Sequence, residues 1–462
     1  MTAPPNDPSS AAGGGVRERP DGLKQVTQLF RRVSGVFIAR LVGAIIGLVS
    51  QIFLARLLGP EELATYFLAL GLAGVLTIVC ALGIPSITVS VISEFRVTGD
   101  MQGQRRFLSS TRRYVAFAMV PAIAGSALLV ALWLSGSSDV WLPLLIGIAS
   151  VPALAFLRLN GAVANAHRRF YASYLPDLIG KPLLALLAVL LITMGAAAAS
   201  TTTVLLVYLG GVVLLMGIQF YLVEAAVSDN DRTSAAMTDR TVKDSQTAPV
   251  NWFHRAWPMI PLALFVGLFG DLQILLVSPH LPADQLAVFG VCIKLALLLG
   301  FISQITHQVF LPDAAEAYAN DDKSSLGEQI RRANILATVL CLVGWLGLLL
   351  IGDRLLALFG KAFEDGYWCL IVLGLSSVAR AYMGPGAQFI VLAKAERRAL
   401  WASLTSVVLL ALLNALLAPF AGILGASIAV LASITIWSCW LAVLARHRTG
   451  LDVAGWVRAG GG

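Results

Sequence analysis

"LLGPEELATYF" (residues 57–67) and "HLPADQLAVFG" (residues 280–290) each open a long apolar run, and each sets a proline, an acidic residue, a Leu-Ala pair and a phenylalanine in the same order. The likeness continues beyond the apolar runs. "EFRVTGDMQGQRRFLSSTRR" (94–113) closes the first and "EAYANDDKSSLGEQIRR" (316–332) closes the second. Pro60 and Pro282 are separated by the same interval as Asp100 and Asp322. Two landmarks at one spacing indicate a duplicated unit. If both copies enter from the same side, they form parallel repeats about an axis along the membrane normal, with the substrate path in the cleft between them.

A membrane is required by composition. The chain of 462 residues is 58% hydrophobic and 13% charged, with mean hydropathy +0.81, whereas soluble domains carry roughly 25% charge. Apolar runs of about 20 residues, each enough to cross a ~30 Å hydrocarbon layer as a helix, recur from residue 35 to residue 445. The reading is an all-α polytopic membrane protein with twelve spans: 35–57, 63–93, 114–136, 140–165, 176–197, 202–226, 254–279, 285–310, 333–352, 366–393, 399–419 and 422–446. The domain plan follows. Residues 1–33 form a disordered tail and an amphipathic surface helix, 34–227 a first six-helix lobe, and 228–250 a polar linker. Residues 251–448 form a second six-helix lobe and 449–462 a tail.

The net charge of +7 does not indicate nucleic acid, because of where the charges lie. Arg31/Arg32, Arg105/Arg106, Arg112/Arg113, Arg168/Arg169, Arg331/Arg332 and Arg397/Arg398 fall in alternate connections, and only Arg56, Arg354 and Lys361 fall in the others. The positive-inside rule then puts both termini of this multi-pass membrane protein in the cytoplasm. The basic end "HRTGLDVAGWVRAGGG" (447–462) is suited to anionic lipid headgroups.

Charges deep in the spans are the candidates for function, because each costs a few kcal/mol at the bilayer centre. Arg40, Arg158 and Lys181 lie within about two turns of the cytoplasmic ends of their spans. Snorkelling explains them as well as a cationic vestibule does. Asp271 and Lys294 both sit roughly 12–13 Å below the outer surface at 1.5 Å per residue. They form either a structural ion pair or an ion-coupling site. Arg380 falls at the midpoint of span ten with no equally deep acid. It either faces the cleft and binds an anion through its forked donors or caps loose carbonyls at a helix break. With acids near span ends set aside, Asp271 is the lone intramembrane acid among these cations. Pro258 and Pro261 in span seven, and Gly384, Pro385 and Gly386 in span ten, are the expected hinges.

Motifs for bond chemistry are scarce. No Walker A sequence is present, Asp229-Asn230-Asp231 sits in the polar linker without a fold around it, and the five cysteines are scattered. No catalytic residue, metal site or cofactor is expected.

"FLARLLGPEELATYFLALGLAGVLTIVCALGIPS" (53–86), "LLALFGKAFEDG" (355–366) and "FAGILGASIAVLAS" (420–433) resemble, in kind and order, bacterial polysaccharide and O-antigen flippases. These belong to the multidrug/oligosaccharidyl-lipid/polysaccharide exporter (MOP) superfamily. The resemblance implies an alternating-access carrier rather than an enzyme. Its passenger would be undecaprenyl-pyrophosphate-linked oligosaccharide, moved to the periplasmic leaflet for lipopolysaccharide, exopolysaccharide or capsule, with polysaccharide assembly proteins as further partners. It also implies a basic lumen, for which Arg380, Arg40, Lys294, Arg158 and Lys181 are this chain's candidates. A drug or organic-cation antiporter of the same superfamily is the alternative, and it calls for a carboxylate in the first lobe. A membrane glycosyltransferase or polymerase would need a catalytic loop.

Overall fold

The computed structural model describes residues 22–133, 138–237, 252–267, 269–319, 323–386 and 396–449. Every regular element among them is helical. In chain order they are α1 (Gly22–Cys80), α2 (Ile84–Thr98), α3 (Met101–Trp133), α4 (Ser138–Ala166), α5 (Phe170–Leu175), a π turn (Pro176–Gly180) and α6 (Lys181–Thr193). The series continues with α7 (Thr201–Met237), α8 (Trp252–Ala256), α9 (Met259–Gly267), α10 (Phe269–Val277), α11 (Ala283–Ala319), α12 (Lys323–Ala357), α13 (Tyr367–Met383) and α14 (Glu396–Thr449).

Among the described residues, eight helices are long and apolar enough to cross a membrane, or nine if a bent pair, 252–265 with 269–280, is one span. Two of the eight runs, Ile38–Arg96 and Leu400–His447, span 59 and 48 residues, about twice or more what one crossing needs. Each is broken by a glycine in a backbone conformation that L side chains rarely adopt: Gly59 (φ 77°) and Gly422 (φ 55°). Gly59 is followed by Pro60, whose missing N–H costs nothing at the first position of a new helix. The opening motif is therefore a corner between two crossings. With α3 and the bent pair, the helices leave room for the twelve passes expected.

The apolar surface is distributed as lipid requires. Large side chains such as Phe420 (86% exposed) and Leu350 (79%) stand outward. In water such a surface would be costly, and in hydrocarbon it is neutral. Inside, one buried cluster joins residues of α1, α6 and α7 to α10–α14, including Phe67, Phe289 and Trp437. A second gathers α2, α3 and α4 with Ala256.

Several boundaries differ from those expected. Residues 22–33 continue into the first span as one helix, not a separate surface helix. Helix α7 runs on to Met237, inside the stretch assigned to the linker; 238–251 lie outside the described residues, as do 1–21 and 450–462. The fifth span begins at Phe170, not 176, because the π turn carries the helix through Pro176. The tenth is interrupted. Helix α13 stops at Met383, where Gly384 turns to φ 78° and the following proline disfavours helix. Residues 387–395 are not described.

Candidate functional site

The π turn positions the first functional side chain. An α-helical bond to the Leu178 carbonyl would have to come from residue 182, which is proline and has no N–H. The chain instead widens by one residue, and the Lys181 N–H donates to the Pro176 carbonyl. Gly43 of α1 lies directly against the Leu178 carbonyl left over, an approach that any Cβ would block. Widened turns of this kind are frequent at functional sites. Here the turn carries Asp177, whose carboxylate accepts from the Lys181 ammonium at 2.7 Å.

That pair opens into a cavity of about 200 Å³, room for many waters or a compact polar head group. Its wall comes from both halves of the chain. Gln51, Tyr66 and Thr77 of α1, Arg158 of α4, Asp177, Lys181 and Tyr208 face it from the first half, and Asp271 and Lys294 face it from the second. Asp271 stands in the first turn of α10, just past the bend of span seven, where a carboxylate complements the helix dipole. It accepts from Lys294 of α11 at 2.9 Å. Arg158 makes no ion pair or hydrogen bond among the described residues, and its guanidinium reaches to within 3.3 Å of where a Cβ on Gly267 would stand. A side chain larger than glycine at the end of α9 would press on it. The cavity thus holds three cations and two carboxylates.

Further contacts between the two halves occur near helix ends. On the side bearing the basic loops, Arg255 clasps Glu94 with two hydrogen bonds of 2.7 and 3.1 Å. Trp252 packs edge-on against Phe95 and Phe107, at centroid distances of 5.9 and 5.1 Å. On the other side, Arg56 donates to the Leu358 carbonyl at 2.7 Å, satisfying an acceptor just past the end of α12.

The sequence-derived candidates separate in space. Arg158, Lys181, Lys294 and Asp271 come together. Arg40 is half-buried on the first part of α1 and is not among the residues lining the cavity, and Arg380 is not either. Because α13 ends at Met383, Arg380 lies in its last turn rather than at the middle of a long helix. There its charge complements the C-terminal dipole, and its guanidinium carbon lies 5.6 Å from the centroid of Trp437, a cation–π distance. Trp437 stacks at 4.7 Å on Phe265, which leads into the bend of span seven. On α11, His307 is hydrogen-bonded to Asn334 at 3.1 Å. The hinge candidates also resolve. Pro258 lies in a turn between α8 and α9, and Pro261 lies within α9. The large bend, 72°, falls between 265 and 269, beyond both prolines. Gly384 and Pro385 interrupt the helix after Met383, Gly386 is helical again, and 387–395 lie outside the described residues.

Asp177 is the residue that sequence reasoning passed over. Acids near the ends of spans had been set aside, and starting the span at 176 put Asp177 at such an end. With the helix running from Phe170, it is internal. The signal was present as "PDLIGKP" (176–182): an acid and a base at i,i+4 between two prolines in an apolar run. The expectation of a lone intramembrane acid, and of a first half without a carboxylate, is therefore corrected.

No protein-family model matches the chain, and no curated protein matches it. Solved structures do. An inward-facing multidrug resistance MATE family transporter of the MOP superfamily superposes with a TM-score of 0.64 at 14% identity, covering 89% of this chain and 98% of that one. The lipid II flippase MurJ, in an inward closed conformation, gives 0.66 at 16% identity over 88% and 87%. A MOP superfamily transporter from Pyrococcus furiosus, noted for the reverse polarity of its binding pocket, gives 0.57 at 13% identity over 90% and 95%. The chain has the fold of the MATE and MurJ transporters of the MOP superfamily.

Proposed function

We propose that this protein is a flippase for an anionic lipid-linked saccharide, carrying an undecaprenyl-diphosphate-linked oligosaccharide to the periplasmic leaflet for surface polysaccharide assembly. The observation that carries this reading is the convergence of Arg158, Lys181 and Lys294, from three helices and both halves of the chain, on one cavity. Cations are kept inside a membrane protein where they meet a pathway or a partner. Guanidinium and ammonium groups together suit the oxygens of a diphosphate. Tyr66, Tyr208 and Gln51 add neutral donors beside them. The same fold in MurJ serves a lipid II flippase, and the sequence resemblance to polysaccharide flippases points the same way. In this reading the Glu94–Arg255 clasp and the Arg56–Leu358 contact part in turn, exposing the cavity to one side and then the other.

Asp177 favours a second reading, a drug or organic-cation antiporter, because it supplies the first-half carboxylate that such carriers call for. Inverted membrane vesicles containing the protein separate the two. Translocation of diphosphate-linked oligosaccharide without uptake of a cationic dye supports the flippase. Dye uptake driven by an ion gradient, with no translocation of the saccharide lipid, overturns it.

A further inference from the structure

Three cations sharing a cavity repel one another and lose hydration, so an empty site of this kind needs anions of its own. The two carboxylates occupy the positions that do this most effectively. Each holds one lysine, Asp177 with Lys181 at 2.7 Å and Asp271 with Lys294 at 2.9 Å, and Arg158 is left without an ion pair among the described residues. Neither pair is sealed. The side chains of Lys181 and Asp177 keep 30% and 50% of their surface, and those of Lys294 and Asp271 keep 28% and 21%. Sealed pairs would serve packing alone. These face a cavity where another oxygen anion has access to the same ammonium groups.

We propose that Asp177 and Asp271 are internal stand-ins for the diphosphate of the passenger. In the empty protein each carboxylate occupies a lysine. When a diphosphate enters, its oxygens bind Arg158 first and then take Lys181 and Lys294 from the two aspartates. This inference rests on the flippase reading and goes beyond it by assigning the two acids a function: they set how tightly the site holds its anion. A cavity with three unopposed cations would bind a diphosphate too firmly to release it. Competition from two tethered carboxylates weakens the grip while keeping the empty state close to neutral. The stand-in also explains why both acids sit beside lysines, whereas the forked guanidinium stays available for first contact.

Diphosphate binding to the purified full chain in lipid nanodiscs tests the proposal, with two probes: inorganic pyrophosphate in solution and a polyprenyl diphosphate doped into the nanodisc. Binding of both assigns recognition to the head group, and binding of the lipid alone adds the chain as a requirement. Asp177→Asn should bind either effective probe at least about fivefold more tightly than the unaltered protein, the lower end of ordinary coupling between sites. Asp177→Glu, which keeps the charge, should stay within about twofold of it. Affinity that is unchanged or weaker in Asp177→Asn, with the unaltered protein binding normally, overturns the stand-in role and leaves the flippase reading intact. Absence of binding by the unaltered protein and by Asp177→Asn alike overturns both. Infrared difference spectra of the unaltered protein give a second readout that needs no variant. Added diphosphate should shift carboxylate bands as the aspartates leave their lysines, and unshifted bands at saturating ligand contradict the exchange.

Discussion

Two regions of the molecule place a permanent positive charge inside the membrane region in different ways. Around the cavity, Lys181 and Lys294 are each met by a carboxylate, and the pairs open onto polar space. Around Arg380 no carboxylate is in reach among the described residues. The charge lies in the last turn of α13 over the face of Trp437, backed by Phe265. In the first arrangement the compensating charge sits on movable side chains and is exchangeable for a ligand. In the second it comes from a helix end and a ring face, which are fixed parts of the fold. Exchangeable compensation marks a binding site, whereas fixed compensation marks a structural post.

The largest effect is expected at the cavity, where an exchangeable counter-charge must still be present in the empty protein. Removing one partner of Asp271–Lys294 strands the other in the protein interior. Asp271→Asn or Lys294→Met alone should destabilise by about 2–3 kcal/mol, under the usual range for sealed pairs because both side chains retain some exposure. The double variant should recover most of the folded protein, as detergent-solubilised yield and thermal unfolding will show. Single variants that keep normal yield and lose ion-dependent transport would assign the pair to coupling instead.

Arg380 sharpens the other side. Loss of the ring contact and of the charge at the helix end should cost about 1 kcal/mol in Arg380→Ala. The melting temperature should fall, while each remaining molecule still transports. Arg380→Lys should restore part of the stability. Normal abundance with abolished transport in the alanine variant would return Arg380 to the passenger path.

The smallest effect belongs to a charge cluster in the first turns of α12, ahead of its apolar run. Hydrogen bonds from Arg331 and Arg332 hold the Glu328 carboxyl down at about 2, against an unfolded value near 4.3. A depressed carboxylate of this kind contributes its stability above the unfolded value and loses it as the pH falls toward about 2. The carboxylate remains in reach of solvent, with 39% of its side-chain surface exposed, so Glu328→Gln should lower the melting temperature by no more than about 1 °C at pH 7, with the difference shrinking below pH 4.

What was legible beforehand depended on whether a residue's place follows from counting along a helix. The long apolar helices, one of them opened by the motif at 57–67, and the equal depth of Asp271 and Lys294 follow from apolar length and rise per residue, and the latter two side chains meet. Counting fails where the helix changes its period or stops. The π turn at 176–180 lengthened span five and drew Asp177 inside it. Gly384 (φ 78°), ahead of Pro385, ended α13 and put Arg380 in its last turn. Both events are written as proline and glycine punctuation, but the sequence alone does not say whether a proline bends a helix, widens it or ends it. The bend of span seven illustrates the same limit, since it falls past both prolines.

The central claim is that the cavity cations hold the anionic head of a lipid-linked passenger, and Arg158 tests it most directly because no ion pair binds it among the described residues. Translocation of polyprenyl-diphosphate oligosaccharide in inverted vesicles, compared at matched protein between the unaltered chain and Arg158→Gln, is the measurement. The account predicts a loss of at least about tenfold, the cost of roughly one charge-assisted contact to phosphate. Translocation by Arg158→Gln at the unaltered rate would contradict it.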